Sequence, residues 1–303
     1  MCFFLNEPME KFFSNLSISI LKLVSHLPLR IHYFIADIIY LLVWYVIGYR
    51  KKVVLTNLRN SFPEKTEKEI TAIAKKYFRH LGDIIVETIK LSSIKIGDLR
   101  KMVVFKNPEI LQQMYEKGKD VILISGHYGN WEMIQDTPSY SKHKYSVIYK
   151  PLTNKPFDEF FKKIRTRFGV NVLPMNEAYR SIVSDRRQGI RTVTYFVADQ
   201  SPVETKYWTI FLNQETPVFI GPERIARKLK TAVIFTDIMK RRRGLYEVIF
   251  TPICEDASLT KENEITNAHV RLLEKTIREN PEYWLWSHRR WKRKRPEGIE
   301  LTC

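Results

Sequence analysis

Apolar and polar positions alternate along this chain with two distinct periods. From Glu67 to Leu91 the apolar residues Ile70, Ile73, Ala74, Tyr77, Phe78, Leu81, Ile84 and Ile85 recur every three or four positions. That spacing predicts one long amphipathic helix after the Pro63-Glu64-Lys65-Thr66 turn. Short β-rich runs follow at 121–125, 145–149, 170–173, 192–197, 232–237 and 246–251, separated by helical spacing near 108–117, 156–168, 176–188, 222–229 and 261–279. Such alternation predicts an α/β fold: a single domain with a mostly parallel central sheet flanked by helices. No internal repeat or composition shift marks a second catalytic domain.

The N-terminal stretch reads differently. Residues 31–48 (IHYFIADIIYLLVWYVIG) are nearly continuous in apolar character. They reach the length of the shortest membrane span, roughly 17 residues, although His32 and Asp37 interrupt them. An amphipathic stretch, 12–29, precedes them and Arg50-Lys51-Lys52 follows, with Tyr33, Trp44, Tyr45 and Tyr49 suited to an interface. No small-residue cleavage site marks a removable signal. The expectation is that residues 1–55 form membrane-anchoring helices, spanning or lying on the bilayer, with residues 56–303 as the cytoplasmic body. A buried helix pair of the globular domain is the other reading.

Charge narrows the partners. Fifty Lys and Arg face 33 Asp and Glu, a net charge of +17, which suits anionic lipid, an acidic carrier protein or nucleic acid. The run Lys240-Arg241-Arg242-Arg243-Gly244 lies between two predicted strands and reads as a solvated hairpin tip. Residues 284–295 interleave Trp284, Trp286 and Trp291 with cations, as a nucleic-acid patch, an interfacial helix or a phosphate-binding wall would. No helix-turn-helix, zinc-finger or RNA-recognition signature accompanies them, so nucleic acid is not expected. Cys2, Cys254 and Cys303 lack metal-ligand spacing and cannot all pair; they read as reduced thiols.

Chemistry concentrates in His127-Tyr128-Gly129-Asn130-Trp131-Glu132, directly after the run Val121–Ser125. This is the end of a predicted buried strand, where open α/β sheets bind ligands. Gly126 and Gly129 supply a tight turn, Asn130 an N-cap, and Glu132 a carboxylate in the first helical turn. On one regular helix, two side chains five apart would diverge by about 140°, at about 100° per residue. His127 and Glu132 can therefore meet only across the turn, where a carboxylate would fix the imidazole tautomer and let it take a proton from an alcohol.

Taken together, these stretches resemble the bacterial lipid A late acyltransferases, the lauroyl and myristoyl transferases of the glycerolipid acyltransferase superfamily. The likeness is collinear. It runs through the N-terminal hydrophobic helix, the Asn57-Leu58-Arg59-Asn60-Ser61-Phe62-Pro63 stretch, and His127 with Glu132 as the family's histidine, four residues and acid. It continues through Tyr149-Lys150-Pro151 with Asn154, Arg165, the Asp199-Gln200 pair, and the closing segment from Pro281 to Lys292. Lys150 stands for the usual arginine, and Phe211-Leu212-Asn213 stands where two phenylalanines and a glycine are usual.

The resemblance implies an enzyme on the cytoplasmic face of the bacterial inner membrane. It would move a fatty acyl chain from acyl carrier protein, or acyl-CoA, to a hydroxyl of a lipid acceptor, most simply a lipid A precursor. His127 and Glu132 are the expected catalytic pair, His127 taking the hydroxyl proton and Glu132 orienting it. Gly129, Asn130, Arg165, Asp199, Arg289 and Arg290 are the expected substrate-binding residues. Arg165 would hold the oxyanion or a headgroup phosphate, and Asp199 a substrate polar group or merely a turn. No Gly-x-Ser-x-Gly elbow surrounds Gly126, so direct transfer without an acyl-enzyme is expected. Neither a metal nor any cofactor beyond the acyl donor is implied. The competing classes are a non-catalytic basic protein binding anionic lipid or nucleic acid, and a glycosyltransferase-like enzyme, for which no Asp-x-Asp pair stands out.

Overall fold

Every residue of the strand Val121–Ser125 is buried, because it sits at the middle of a seven-stranded sheet covered on both faces. The structure, a computed structural model, describes residues 7–302. Four helices open the chain: α1 (Glu7–Ser25), α2 (Leu29–Leu41), which runs on into a π-helical segment (Leu42–Ile47), α3 (Lys51–Ser61) and α4 (Glu67–Leu91). Next come α5 (Ile96–Met102), β1 (Val103–Phe105), α6 (Glu109–Glu116), β2 (Val121–Ser125), a 3-10 segment (Trp131–Tyr140) and β3 (Lys144–Tyr149). Then follow α7 (Lys155–Thr166), β4 (Val170–Pro174), α8 (Ala178–Arg187), β5 (Thr192–Val197) and the hairpin of β6 (Trp208–Phe211) and β7 (Gln214–Pro217). The sequence closes with α9 (Gly221–Leu229), β8 (Ala232–Arg242), β9 (Leu245–Cys254) and α10 (Glu264–Glu279).

The sheet order is β1-β9-β8-β2-β5-β3-β4. The run from β8 to β4 is parallel; β9 turns back antiparallel on β8 and carries β1 parallel to itself. This is the α/β fold with a mostly parallel sheet that the alternation predicted. Alternate residues serve opposite faces. Val121, Leu123, Val193 and Tyr195 share one apolar cluster with Leu91, Leu99, Leu111 and Ile164, while Ile122, Ile124, Phe196 and Val233 share another with Ala178, Ala226 and Ile265.

Helix α4 matches its predicted span to the residue, because Thr66 and Glu69 close a capping box. Other expectations shift. The segment after Asn130 is 3-10 rather than α-helical, with Pro138 inside it and a kink at Ile134. Three short strands, β1, β6 and β7, were too brief to show a period. The basic run does form the tip of the β8–β9 hairpin but is only half solvated: β8 runs as far as Arg242, Arg241 and Arg242 are exposed, and Lys240 and Arg243 turn inward to Asp83. Cys254 is a free, half-buried thiol, and Cys2 and Cys303 lie outside the described residues.

Helix α2 lies against α4 along its length. His32, Ala36, Tyr40 and Trp44 are buried, and Tyr40 and Trp44 join an apolar cluster with Leu58, Tyr77, Phe78 and Trp286. Contact is closest at Gly82, where a Cβ would stand 2.7 Å from the Ala36 carbonyl oxygen. Gly82→Ala must therefore push two helix backbones apart. We expect a loss of about 1–3 kcal/mol of stability, read from urea unfolding in detergent.

Candidate active site

Strands β2 and β5 pair in parallel with Ser125 opposite Val197. Two residues further on, His127 and Asp199 come level beyond the sheet edge. The Asp199 carboxylate accepts the His127 backbone N–H at Oδ2 (2.9 Å), meets the His127 Nδ1 at Oδ1 (2.5 Å), and accepts the Trp284 indole N–H at Oδ2 (2.7 Å). With Nδ1–H directed to Asp199, the lone pair of His127 Nε2 faces outward, 3.2 Å from the Gln200 side-chain nitrogen, whose N–H donates to it. The tautomer is thus assigned by the hydrogen-bond network. The imidazole packs edge to face on Trp131, with ring centroids 4.7 Å apart.

Asp199 is 5% exposed. Burial works to raise its carboxyl, but the His127 charge and the donors around it outweigh that and hold it well below the usual carboxylate range. Two more histidines stand nearby: burial pushes His269 and His288 down to about 4, so both are neutral at pH 7.

Sequence analysis gave His127 the wrong carboxylate. Glu132 does not reach it; both Glu132 oxygens bind the Arg165 guanidinium, through Nε at 3.0 Å and through Nη2. The turn explains this: Asn130 Oδ1 caps the Glu132 N–H at 3.3 Å, and the segment then carries Glu132 toward α7. Arg165 and Glu132 help to line an apolar slot with Leu123, Trp131, Ile134 and Tyr145. The slot is narrow as it stands, with about 40 Å³ of free room.

The remaining expected residues divide. Gly129 adopts φ +61°, and a Cβ there would stand 2.1 Å from the Ile238 carbonyl oxygen, so only glycine fits. Its N–H donates to the Tyr283 carbonyl at 3.0 Å, and the Leu285 N–H donates to the His127 carbonyl at 3.1 Å. Gly129 and the fully buried Asn130 thus build the turn from within. Arg289 is exposed, whereas Arg290 is 2% exposed and donates to the Pro217 carbonyl at 2.9 Å. Burial pulls Arg290 down to about 10, still charged at pH 7 and close enough to Asp199 to feel its field. The aromatic-cationic block is therefore partly core: Trp284 and Trp286 are buried behind the turn that carries His127. Lys150 is exposed just past β3, Asn154 caps α7, and Leu212-Asn213 form the two left-handed residues of the β6–β7 turn. Gln200 was quoted only as half of a pair, and Trp284 was not singled out; an isolated tryptophan 85 residues from its acceptor leaves no local signal.

A carboxylate-held imidazole at the edge of a mostly parallel sheet, beside an apolar slot, is an arrangement that can take a proton from a hydroxyl. A profile of the bacterial lipid A biosynthesis acyltransferases matches residues 8–293, and the chain belongs to that family. It is 24% identical over 252 residues to the lipid A biosynthesis palmitoleoyltransferase of Escherichia coli (strain K12), covering 82% of this chain and 80% of that one. The lauroyltransferase of the same organism is 22% identical over 291 residues, with 94% and 92% covered. Its myristoyltransferase is 21% identical over 254 residues, with 81% and 76% covered.

Because the Asp199 carboxyl is held low, its ionisation stabilises the fold fully above the unfolded value of about 3.9, and that contribution is lost as pH falls through the lower folded value. Trp284→Phe keeps a ring but removes one donor. We expect it to cost about 1–3 kcal/mol at pH 7 and nearly as much at pH 3, where the folded carboxyl is still ionised, read from urea unfolding at the two pH values.

Proposed function

We propose that this acyltransferase moves an acyl chain from the thioester of acyl carrier protein to a hydroxyl of a lipid A precursor by direct attack. The observation that carries the reading is His127 Nδ1 held by the buried Asp199, which leaves Nε2 as the outward base. The acceptor hydroxyl displaces the Gln200 amide and gives its proton to Nε2. Its oxygen adds to the thioester carbonyl, and the C–S bond breaks. The thiolate then takes the proton back from the imidazolium, leaving ester and free thiol. Asp199 stabilises the imidazolium between these steps.

Trp131 touches the imidazole and lines the apolar slot, so an alkyl chain lying there would bring its thioester beside the base. Glu132 acts through Arg165, fixing two of the guanidinium's five N–H groups and leaving others for the oxyanion or a headgroup phosphate. The net charge of +17 suits both an acidic carrier and an anionic lipid.

The same reading places the protein on the cytoplasmic face of the inner membrane, with Leu29–Ile47 along the leaflet rather than across it. That helical stretch of 19 residues is long and apolar enough to span. Yet Ile31, Phe34, Ile38, Leu41 and Tyr45 are exposed along one face, and the opposite face is buried on α4. Asp37 pairs with Arg243, and crossing the bilayer would bring such charges toward hydrocarbon at about 2.5–3.5 kcal/mol each.

Two experiments test these statements. Labelled acyl groups supplied on carrier protein or CoA should enter a lipid A precursor. His127→Ala should lower that transfer by on the order of 10²–10⁴. Undiminished transfer by His127→Ala would sink the mechanism, and no transfer by folded protein with either donor would favour the non-catalytic binding protein. For the helix, Arg30→Cys and Lys52→Cys in a background with Cys2, Cys254 and Cys303 changed to Ser should both label from the cytoplasmic side with an impermeant maleimide. Labelling from opposite sides means a span.

A further inference from the structure

The turn that carries His127 is gripped from behind by groups with no part in the chemistry above. Glu87 of α4 is 1% exposed. Its Oε2 accepts the Asn130 Nδ2–H at 2.8 Å and the Tyr246 hydroxyl at 2.7 Å, and its Oε1 accepts the Tyr33 hydroxyl at 3.0 Å. Seven residues earlier on the same helix face, His80 donates from Nε2 to the Gly129 carbonyl at 3.0 Å, while its Nδ1 accepts from Lys240 Nζ at 3.1 Å. Lys240 also pairs with Asp83 at 2.7 Å. His80, Asp83 and Glu87 thus form a polar stripe on α4 where apolar residues would bury at lower desolvation cost.

Asn130 shows what the stripe does. Its amide has one accepting end and one donating end, and only the accepting end can cap the Glu132 N–H. Burial pushes the Glu87 carboxyl up, yet its two oxygens accept from the Tyr33 and Tyr246 hydroxyls; presented as an acceptor, Glu87 draws the NH₂ end toward itself and leaves Oδ1 facing Glu132. We propose that Glu87 is a positioning residue: by dictating which way the Asn130 amide faces, it fixes the start of the segment that brings Trp131 against His127 and Glu132 onto Arg165. The contribution to turnover rests on the acyl-transfer reading; the contribution to the turn does not.

A reciprocal exchange tests it. Asn130→Asp sets a carboxylate against Glu87. It should raise amide hydrogen exchange in the peptide spanning 126–133 and lower kcat roughly ten- to a hundredfold, with donor KM little changed. Glu87→Gln alone can turn an oxygen toward Asn130 and should cost less than about tenfold. Placed in the Asn130→Asp background, Glu87→Gln offers an NH₂ to the new carboxylate, and both protection and kcat should recover. If Asn130→Asp behaves as wild type, or if Glu87→Gln does not rescue it although both variants melt as wild type, the proposal is overturned. Exchange needs no substrate, so it decides the matter even if no acyl transfer is found. Should Asn130→Asp fail to fold, Asn130→Ser offers a single oxygen on a shorter side chain, which can cap the Glu132 N–H but cannot also span to Glu87 as the second end of the amide does. It should also raise exchange in that peptide, and wild-type protection there overturns the proposal.

Discussion

Asp199 is buried and ionised, and a carboxylate in that position must be surrounded by donors. Three come to it from two distant parts of the chain: the backbone and ring of His127, and the indole of Trp284. Much of the surrounding architecture follows. Parallel pairing of β2 with β5 brings His127 and Asp199 level, and the closing segment runs behind the turn so that Trp284 can reach in. The Tyr283 carbonyl and Leu285 amide fasten that segment to Gly129 and His127. Removing any one donor would leave charge facing apolar walls, which is why the loop, the strand end and the tail behave as one unit.

The periodicity of the sequence sufficed for the sheet strands of five or more residues and for α4, since each repeats its pattern often enough to stand above noise. It was silent on β1, β6 and β7, which are three or four residues long. His127 was legible because glycines and an apolar run flank it. Its partner was not. Glu132 was the near carboxylate in sequence, and Asp199 the near one in space, because strand order decides which loops meet and no local pattern states that β2 lies beside β5. The basic runs misled for a related reason. Charge along a sequence reads as solvated surface, but Lys240, Arg243 and Arg290 answer Asp83, Asp37 and Asp199 on distant elements.

Polar groups also join the N-terminal helices to the turn that carries His127. Tyr33 of α2 and Asn130 of the turn share one carboxylate, Glu87, and Arg243 binds both Asp37 of α2 and Asp83 of α4. Apolar contacts at Ala36, Tyr40 and Trp44 complete the seat. Helix α2 and the His127 turn are therefore both seated on α4, and neither can shift far without disturbing it.

The closing segment has a consequence for how the molecule comes into being. Synthesis proceeds from the N-terminus, so α1 to α4 emerge before any strand of the sheet. His127 and Asp199 follow, but their third partner, Trp284, and the strap from Tyr283 to Leu285 emerge only later, Trp284 standing 85 residues after Asp199. Until then the carboxylate lacks its indole donor and the turn its backing. The pairing of His127 with Asp199 would thus reach its final surroundings only once Trp284 has been made.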